Sequence, residues 1–311
     1  MAHERTVGTD MSRFRGVGPA LVTPMRPDGS IDLDAFARHV ESVIEGGVHF
    51  LVPCGTTGEN VTMTDEEQRR VIQRCVEVAG GAVPVMAGAG TNDTRRAAEL
   101  ARGAVESGAD AILSVSPYYN RPTQEGLFAH FQAVAEAARV PLYVYNVPGR
   151  TGSNVEPATI LRLASEVENI GGVKEASGSM AQVMTLLHDR PPGFSVLSGE
   201  DDLTYAMLAM GADGVISVAA NEAPAGMAAI CDRAFDDDWE AALAHHWRLL
   251  PLMRANFVET NPIPVKTALE VLGRFDAHFR LPLARMGEQN RALLEEALRA
   301  SEVWGGSEGS Q

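Results

Sequence analysis

Short apolar runs recur along the chain, and each ends in glycine, proline or small polar residues. "VGPALVTP" (17–24), "HFLVPC" (49–54), "VPVMAG" (83–88), "DAILSVS" (110–116), "PLYVYN" (141–146), "NIGGVK" (169–174), "FSVLSG" (194–199) and "DGVISV" (213–218) have the length and β-leaning content of buried strands. Between them the apolar positions follow a helical period, as in "DLDAFARHVESVIEGG" and "TDEEQRRVIQRCVEVAGG". The second of these places Thr64 and Glu67 at capping-box spacing. Gly-Ala-Asp recurs at 108–110 and 211–213, where a helix stops and a strand begins.

Strand-then-helix units spaced by about 20–35 residues predict an α/β fold of the (β/α)8 TIM barrel kind, since each parallel crossover needs about a dozen residues. A doubly wound open sheet is the structural competitor. It lacks its usual signatures here, because no G-x-G-x-x-G follows the first strand and no G-x-x-x-x-G-K-[ST] occurs. The residues beyond the eighth run have a largely helical pattern and are read as the last barrel helix plus a small helical C-terminal appendage. The expected organisation is a loose N-terminal extension (1–12), a barrel (13–235), a C-terminal helical region (236–300) and a frayed tail (301–311), with Met11 as a possible second start.

Composition narrows the class of function. The formal charge of −15 disfavours nucleic acid and anionic membranes, which are held by clustered Lys and Arg. Three scattered cysteines, Cys54, Cys75 and Cys231, fit a reducing compartment; the N-terminal stretch "MAHERTVGTDMSRFRG" has no apolar core of signal-peptide length, and no apolar run reaches membrane-spanning length. A cytoplasmic location is expected. The eight histidines show no metal-ligand spacing, so no metal site is expected.

Barrel chemistry gathers where the strands end, and the unusual residues of this chain lie there. Of 26 basic residues all but Lys174 and Lys266 are arginine, and Lys174 closes the sixth run in "GGVKEAS". An unperturbed lysine is neutral in only about one molecule in a few thousand at pH 7, but burial lowers its pKa and makes the amine a nucleophile, which arginine cannot become. A lysine snorkelling from the strand end, or paired with Glu175, is the plainer alternative. Four of the five tyrosines form two clusters, Tyr118–Tyr119 and Tyr143–Tyr145, and the period of two puts Tyr143 and Tyr145 on one strand face. Phenols beside a lone amine suit proton transfer during imine formation. "GTTGE" (55–59) has the composition of a turn that presents backbone N–H groups and hydroxyls to a carboxylate or phosphate, and Arg150 in "YNVPGRT" suits a second carboxylate. Cys54 is read as a small buried residue and Lys266, in a proline-fixed segment, as structural.

"GTTGE", "SPYYNRPTQEG", "YNVPGRTG", "GGVKEASG", "LSGEDD", "GVISV" and "NPIPVK", in this order and spacing over residues 13–300, resemble the dihydrodipicolinate synthase family of pyruvate-dependent class I aldolases. The resemblance implies condensation of pyruvate with L-aspartate 4-semialdehyde, the step that opens the diaminopimelate route to lysine, with no cofactor. By motif, Lys174 forms the imine, Tyr145 shuttles protons, and Thr56 links Tyr145 to a Tyr119 supplied by a neighbouring subunit of a tight dimer, usually paired into a homotetramer. Thr57 would hold the pyruvate carboxylate, Ile216 and Gly199 would line the pocket, and Arg150 would bind the semialdehyde carboxylate. Where lysine-inhibited relatives carry acidic and histidine ligands, this chain has Asp65, Gln68 and Arg96, so weak or absent feedback inhibition is expected. Sister aldolases acting on N-acetylneuraminate or 2-keto-3-deoxy sugar acids, and a non-catalytic barrel that binds a keto acid, are the alternatives.

Overall fold

The computed structural model describes residues 11–304; the expected N-terminal extension up to residue 10 and the tail from 305 lie outside the described residues. Seven parallel strands form one sheet: β1 Gly16–Pro19, β2 Met86–Gly88, β3 Ala111–Val115, β4 Leu142–Asn146, β5 Ile170–Glu175, β6 Ser195–Ser198 and β7 Gly214–Ser217. Their order is β1-β7-β6-β5-β4-β3-β2. The gap between β1 and β2 is filled by the remaining apolar run, 49–54, which is joined by single bridges from Ala20 to Val52 and from Leu51 to Val85.

That run was expected as a full strand, and its prolines explain the difference. Pro19, Pro53 and Pro84 stand along the pairing edges and have no N–H to donate, so a continuous ladder cannot form. The available groups still pair: Leu51 N–H donates to the Pro84 carbonyl at 3.0 Å, and Val52 N–H donates to the Pro19 carbonyl at 3.1 Å. The sheet therefore closes into a barrel.

The helices are α1 Leu33–Glu45, α2 Asp65–Ala79, α3 Thr94–Glu106, α4 Gln124–Ala138, α5 Pro148–Thr151, α6 Pro157–Glu166, α7 Met180–Asp189, α8 Thr204–Ala209, α9 Pro224–Phe235, α10 Trp239–Ala255, α11 Ile263–Val271 and α12 Glu288–Ala300. Thr64 and Glu67 form the expected capping box at the start of α2. Both Gly-Ala-Asp repeats have the predicted role: Gly108 and Gly211 adopt positive φ before β3 and β7. Their aspartates then reach sideways, Asp110 accepting from Val85 N–H at 2.9 Å and Asp213 from Val196 N–H at 2.8 Å. Each repeat thus ends a helix and ties the foot of the next strand to its neighbour.

Strand alternation divides the core into two layers. Leu142, Val144 and Val173 face the helices, whereas Tyr143, Tyr145, Leu197 and Ile216 fill the barrel interior. Phe14 closes the interior at the N-terminal end, edge-on to Phe50 and Tyr143 with ring centroids 5.6 Å apart in each case. With that end packed by aromatic rings, interior space is left toward the opposite mouth, where the strand-to-helix loops gather.

Candidate active site

A cavity of about 180 Å³ occupies that mouth and is lined by Thr56, Thr57, Tyr145, Arg150, Lys174 and Gly199, among others. Register brings its two central groups together, because Tyr145 on β4 is the direct cross-strand partner of Lys174 on β5. The Lys174 ammonium nitrogen lies 4.3 Å from the centre of the Tyr145 ring. Lys174 is buried, and its glycine neighbour explains how its stem fits: a Cβ on Gly199 would stand 3.1 Å from Lys174 Cε and 2.6 Å from Ala176 Cβ. Any larger residue at 199 would force Ala176 to shift and would crowd the lysine stem.

Electrostatics follow from this burial. Removal from water is the main cause that lowers the Lys174 pKa to about 8, with the Arg150 charge adding to it and the Asp201 and Glu200 carboxylates opposing. At pH 7 roughly one molecule in ten then carries a neutral amine, several hundred times the fraction of an exposed lysine. Burial pushes the Tyr145 phenol up to about 12, with the Arg150 charge and the Thr56 hydroxyl acting in the other direction. The site thus holds a neutral-capable amine beside a phenol that keeps its proton.

The GTTGE turn folds as a short 3-10 turn over Thr56–Gly58. Thr57 is buried, and its hydroxyl accepts a hydrogen bond from Asn261 Nδ2 at 2.9 Å. Arg150, on the single turn of α5, lines the same cavity and donates to the Asn261 carbonyl at 3.3 Å. Ile216 on β7 is buried in the interior layer with Tyr145. Tyr119 is the one predicted site residue set apart: it is 89% exposed, and its backbone has φ +74°. Its neighbour Tyr118 lines an adjoining cavity with Tyr145, Thr56 and Arg150.

Two plainer readings of Lys174 are corrected by the geometry. It does not snorkel, being only 6% exposed. Nor does it pair with Glu175, because strand alternation turns the two side chains to opposite faces. Glu175 accepts instead from Ser177 N–H at 2.8 Å, Gln182 Nε2 at 3.0 Å and Asn146 Nδ2 at 3.1 Å. Those bonds hold a buried carboxylate and fasten the loops after β4 and β5. Cys54 is fully buried as expected, and burial pushes its thiol up to about 12, so it stays protonated.

Residues 13–301 match the dihydrodipicolinate synthetase family. The chain belongs to that family. It is 51% identical over 288 residues to a 4-hydroxy-tetrahydrodipicolinate synthase of Maridesulfovibrio salexigens, covering 93% of this chain and 98% of the relative. It is likewise 51% identical over 283 residues to the synthase of Prosthecochloris aestuarii, covering 91% and 95%. Among solved structures, the dihydrodipicolinate synthase of Thermotoga maritima superposes with a TM-score of 0.92 at 42% identity, covering 94% of this chain and all of that one. A chloride-inhibited synthase of Acinetobacter baumannii, solved in complex with pyruvate, gives 0.91 at 43% identity, covering 93% and 99%.

Within this synthetase-family barrel, three features escaped the sequence reading. Asn261 joins the two carboxylate-binding candidates, as described above. Asp201 is buried and accepts from Ala219 N–H at 2.9 Å and Val218 N–H at 3.0 Å, which holds its carboxyl group in place just past the end of β7. Lys266, with no exposed side chain, forms an ion pair at 2.7 Å with Glu59 of the GTTGE turn. "SGEDD" and "NPIPVK" did mark the segments that carry Asp201, Asn261 and Lys266. The Asn261–Thr57 and Lys266–Glu59 pairings span some 200 residues and leave no local pattern from which the partners can be read.

Proposed function

We propose that the chain is a 4-hydroxy-tetrahydrodipicolinate synthase that condenses pyruvate with L-aspartate 4-semialdehyde through an imine on Lys174. The observation that carries the reading is the buried Lys174 amine beside the Tyr145 ring in the cavity of the barrel mouth. The neutral amine attacks the ketone carbon of pyruvate, and the Tyr145 phenol gives a proton to the oxygen that departs as water. The resulting iminium draws electrons from the methyl group, which loses a proton and becomes an enamine carbon. That carbon adds to the aldehyde of the second substrate. The amino group of the second substrate then attacks the imine carbon, closing the ring and expelling the Lys174 amine.

Thr57 and the backbone of its turn hold the pyruvate carboxylate. Gly199 and Ile216 shape the pocket around the methyl group. Arg150, at the rim, takes the carboxylate of the semialdehyde as a bidentate pair. Thr56 passes protons between Tyr145 and the Tyr119 of a neighbouring subunit, a role supported by the exposure of Tyr119 on its own subunit. The assembly is a homotetramer built from two such tight dimers. No helix of the described residues is long and apolar enough to cross a membrane, in keeping with action in the cytoplasm on small acids.

Arg96 is paired with Asp65 at 2.6 Å, so the face on which lysine-inhibited relatives bind their effector presents a guanidinium to an incoming ammonium group. Feedback by lysine is accordingly weak or absent, and clear inhibition by sub-millimolar lysine would overturn this point. The reaction itself is tested by following consumption of pyruvate with aspartate semialdehyde, in parallel with cleavage of N-acetylneuraminate. Turnover of the first pair and none of the second is expected. The reverse result assigns the chain to the sister aldolases.

A further inference from the structure

Asn261 stands outside the strands that carry the reacting groups, yet it touches both carboxylate-binding candidates. It precedes α11, is 6% exposed and lines the cavity that holds Lys174. Its side-chain amide donates to Thr57 Oγ1 at 2.9 Å, and its backbone carbonyl accepts from Arg150 Nη2 at 3.3 Å. Its own Oδ1 is buried and has no partner.

A threonine hydroxyl has one proton to give and two lone pairs to receive with. An amide NH₂ group only donates, so the contact to Asn261 occupies a lone pair of Thr57 and leaves the hydroxyl proton unspent. Thr57 Oγ1 has no other hydrogen-bond partner among the described residues, and the cavity lies beside it. A hydroxyl whose lone pair is already occupied is pre-oriented as a donor, which is what an incoming carboxylate requires. Without Asn261 the hydroxyl would be free to rotate, and binding an anion would carry the cost of ordering it.

We infer that Asn261 is a positioning residue for the first substrate: its side-chain amide locks the Thr57 hydroxyl as a hydrogen-bond donor toward the keto-acid carboxylate. The inference rests on the proposed role of Thr57 and goes beyond it by naming the group that sets the direction of that hydrogen bond. The Asn261 carbonyl belongs to the backbone and survives any substitution. The Arg150 contact is therefore retained when the side chain is removed, and the two substrates respond differently.

The test measures the pyruvate concentration that gives half-maximal borohydride trapping, for the full chain and for Asn261→Ala, Thr57→Val and the double variant. Steady-state KM for the semialdehyde and thermal midpoints are recorded alongside. Asn261→Ala should raise the half-saturating pyruvate concentration about tenfold, leave the semialdehyde KM within about threefold, and add less than about threefold to Thr57→Val in the double variant. A pyruvate requirement unchanged in Asn261→Ala while Thr57→Val raises it overturns the inference alone. Full multiplication of the two effects in the double variant also overturns it. No effect of Thr57→Val overturns the role of Thr57 and the inference with it, and absence of trapping in the unmodified chain overturns the imine reading as well. If the alanine variant unfolds, Asn261→Asp keeps the shape but replaces the amide donor with an acceptor. It must weaken pyruvate binding by at least tenfold, and wild-type binding by that variant contradicts the proposed direction of the hydrogen bond.

Discussion

Lys174 and Tyr145 are cross-strand partners at the open end of the barrel, with the amine nitrogen 4.3 Å from the ring centre. Burial acts on both in ways that serve the same step. It lowers the Lys174 pKa to about 8 and raises that of Tyr145 to about 12. Between these two values the dominant form has a neutral amine and a protonated phenol.

The rate of imine formation with pyruvate should therefore follow the neutral fraction of Lys174. It is expected to rise about tenfold per pH unit below pH 8 and to level off above it. The sign is fixed by the nucleophile: protonation removes the lone pair, so acid slows the step. Rapid-quench borohydride trapping across pH 6 to 10 checks this, and a profile that is flat from pH 6 upward contradicts a lysine of this pKa as the nucleophile.

The second lysine is predicted to act on stability. Lys266 and Glu59 form a pair with almost no exposed side-chain surface, and the ammonium group also donates to the His278 carbonyl. Lys266→Met leaves the Glu59 carboxylate buried without its partner, which costs about 3–5 kcal/mol. The double variant Lys266→Met with Glu59→Gln removes both charges and should recover a large part of that loss. Denaturant unfolding of the three proteins measures it. A loss below about 1 kcal/mol in the single variant would show that the pair does not anchor the turn.

Acid acts on the fold through a buried imidazole. His39 is buried against Asn221, its Nε2 lying 2.9 Å from Asn221 Oδ1, and burial lowers its pKa to about 4. With the folded value below the unfolded value near 6.5, its contribution is present above pH 6.5 and lost as pH falls toward 4. The stability difference between the wild-type chain and His39→Gln isolates this contribution from the buried carboxylates, which titrate in both proteins. That difference should be constant above pH 6.5 and shift against the wild type by about 3 kcal/mol in total between pH 6.5 and 4. A constant difference over that range contradicts a buried neutral His39.

What the sequence disclosed follows a physical division. The barrel was legible because buried parallel strands and amphipathic helices each repeat with a local period, and because capping signals such as Thr64 with Glu67 act within one turn. Lys174 was conspicuous for its rarity, and Tyr145 for its place on the strand. The run at 49–54 was legible as a β segment but not as bridges in place of a ladder, since that outcome depends on prolines brought alongside from other segments. Glu175 could be mistaken for a partner of Lys174 until strand alternation separated them. Asn261 with Thr57 and Lys266 with Glu59 join residues more than 200 positions apart, and only the folded chain brings them within hydrogen-bond distance.

The central claim is that Lys174 is the amine that captures pyruvate. Incubation with pyruvate, reduction with borohydride and peptide mapping by mass spectrometry test it directly. One adduct per chain is predicted, on the peptide that contains Lys174, and none should form in Lys174→Ala. An adduct on Lys266, or no adduct at all, would contradict it.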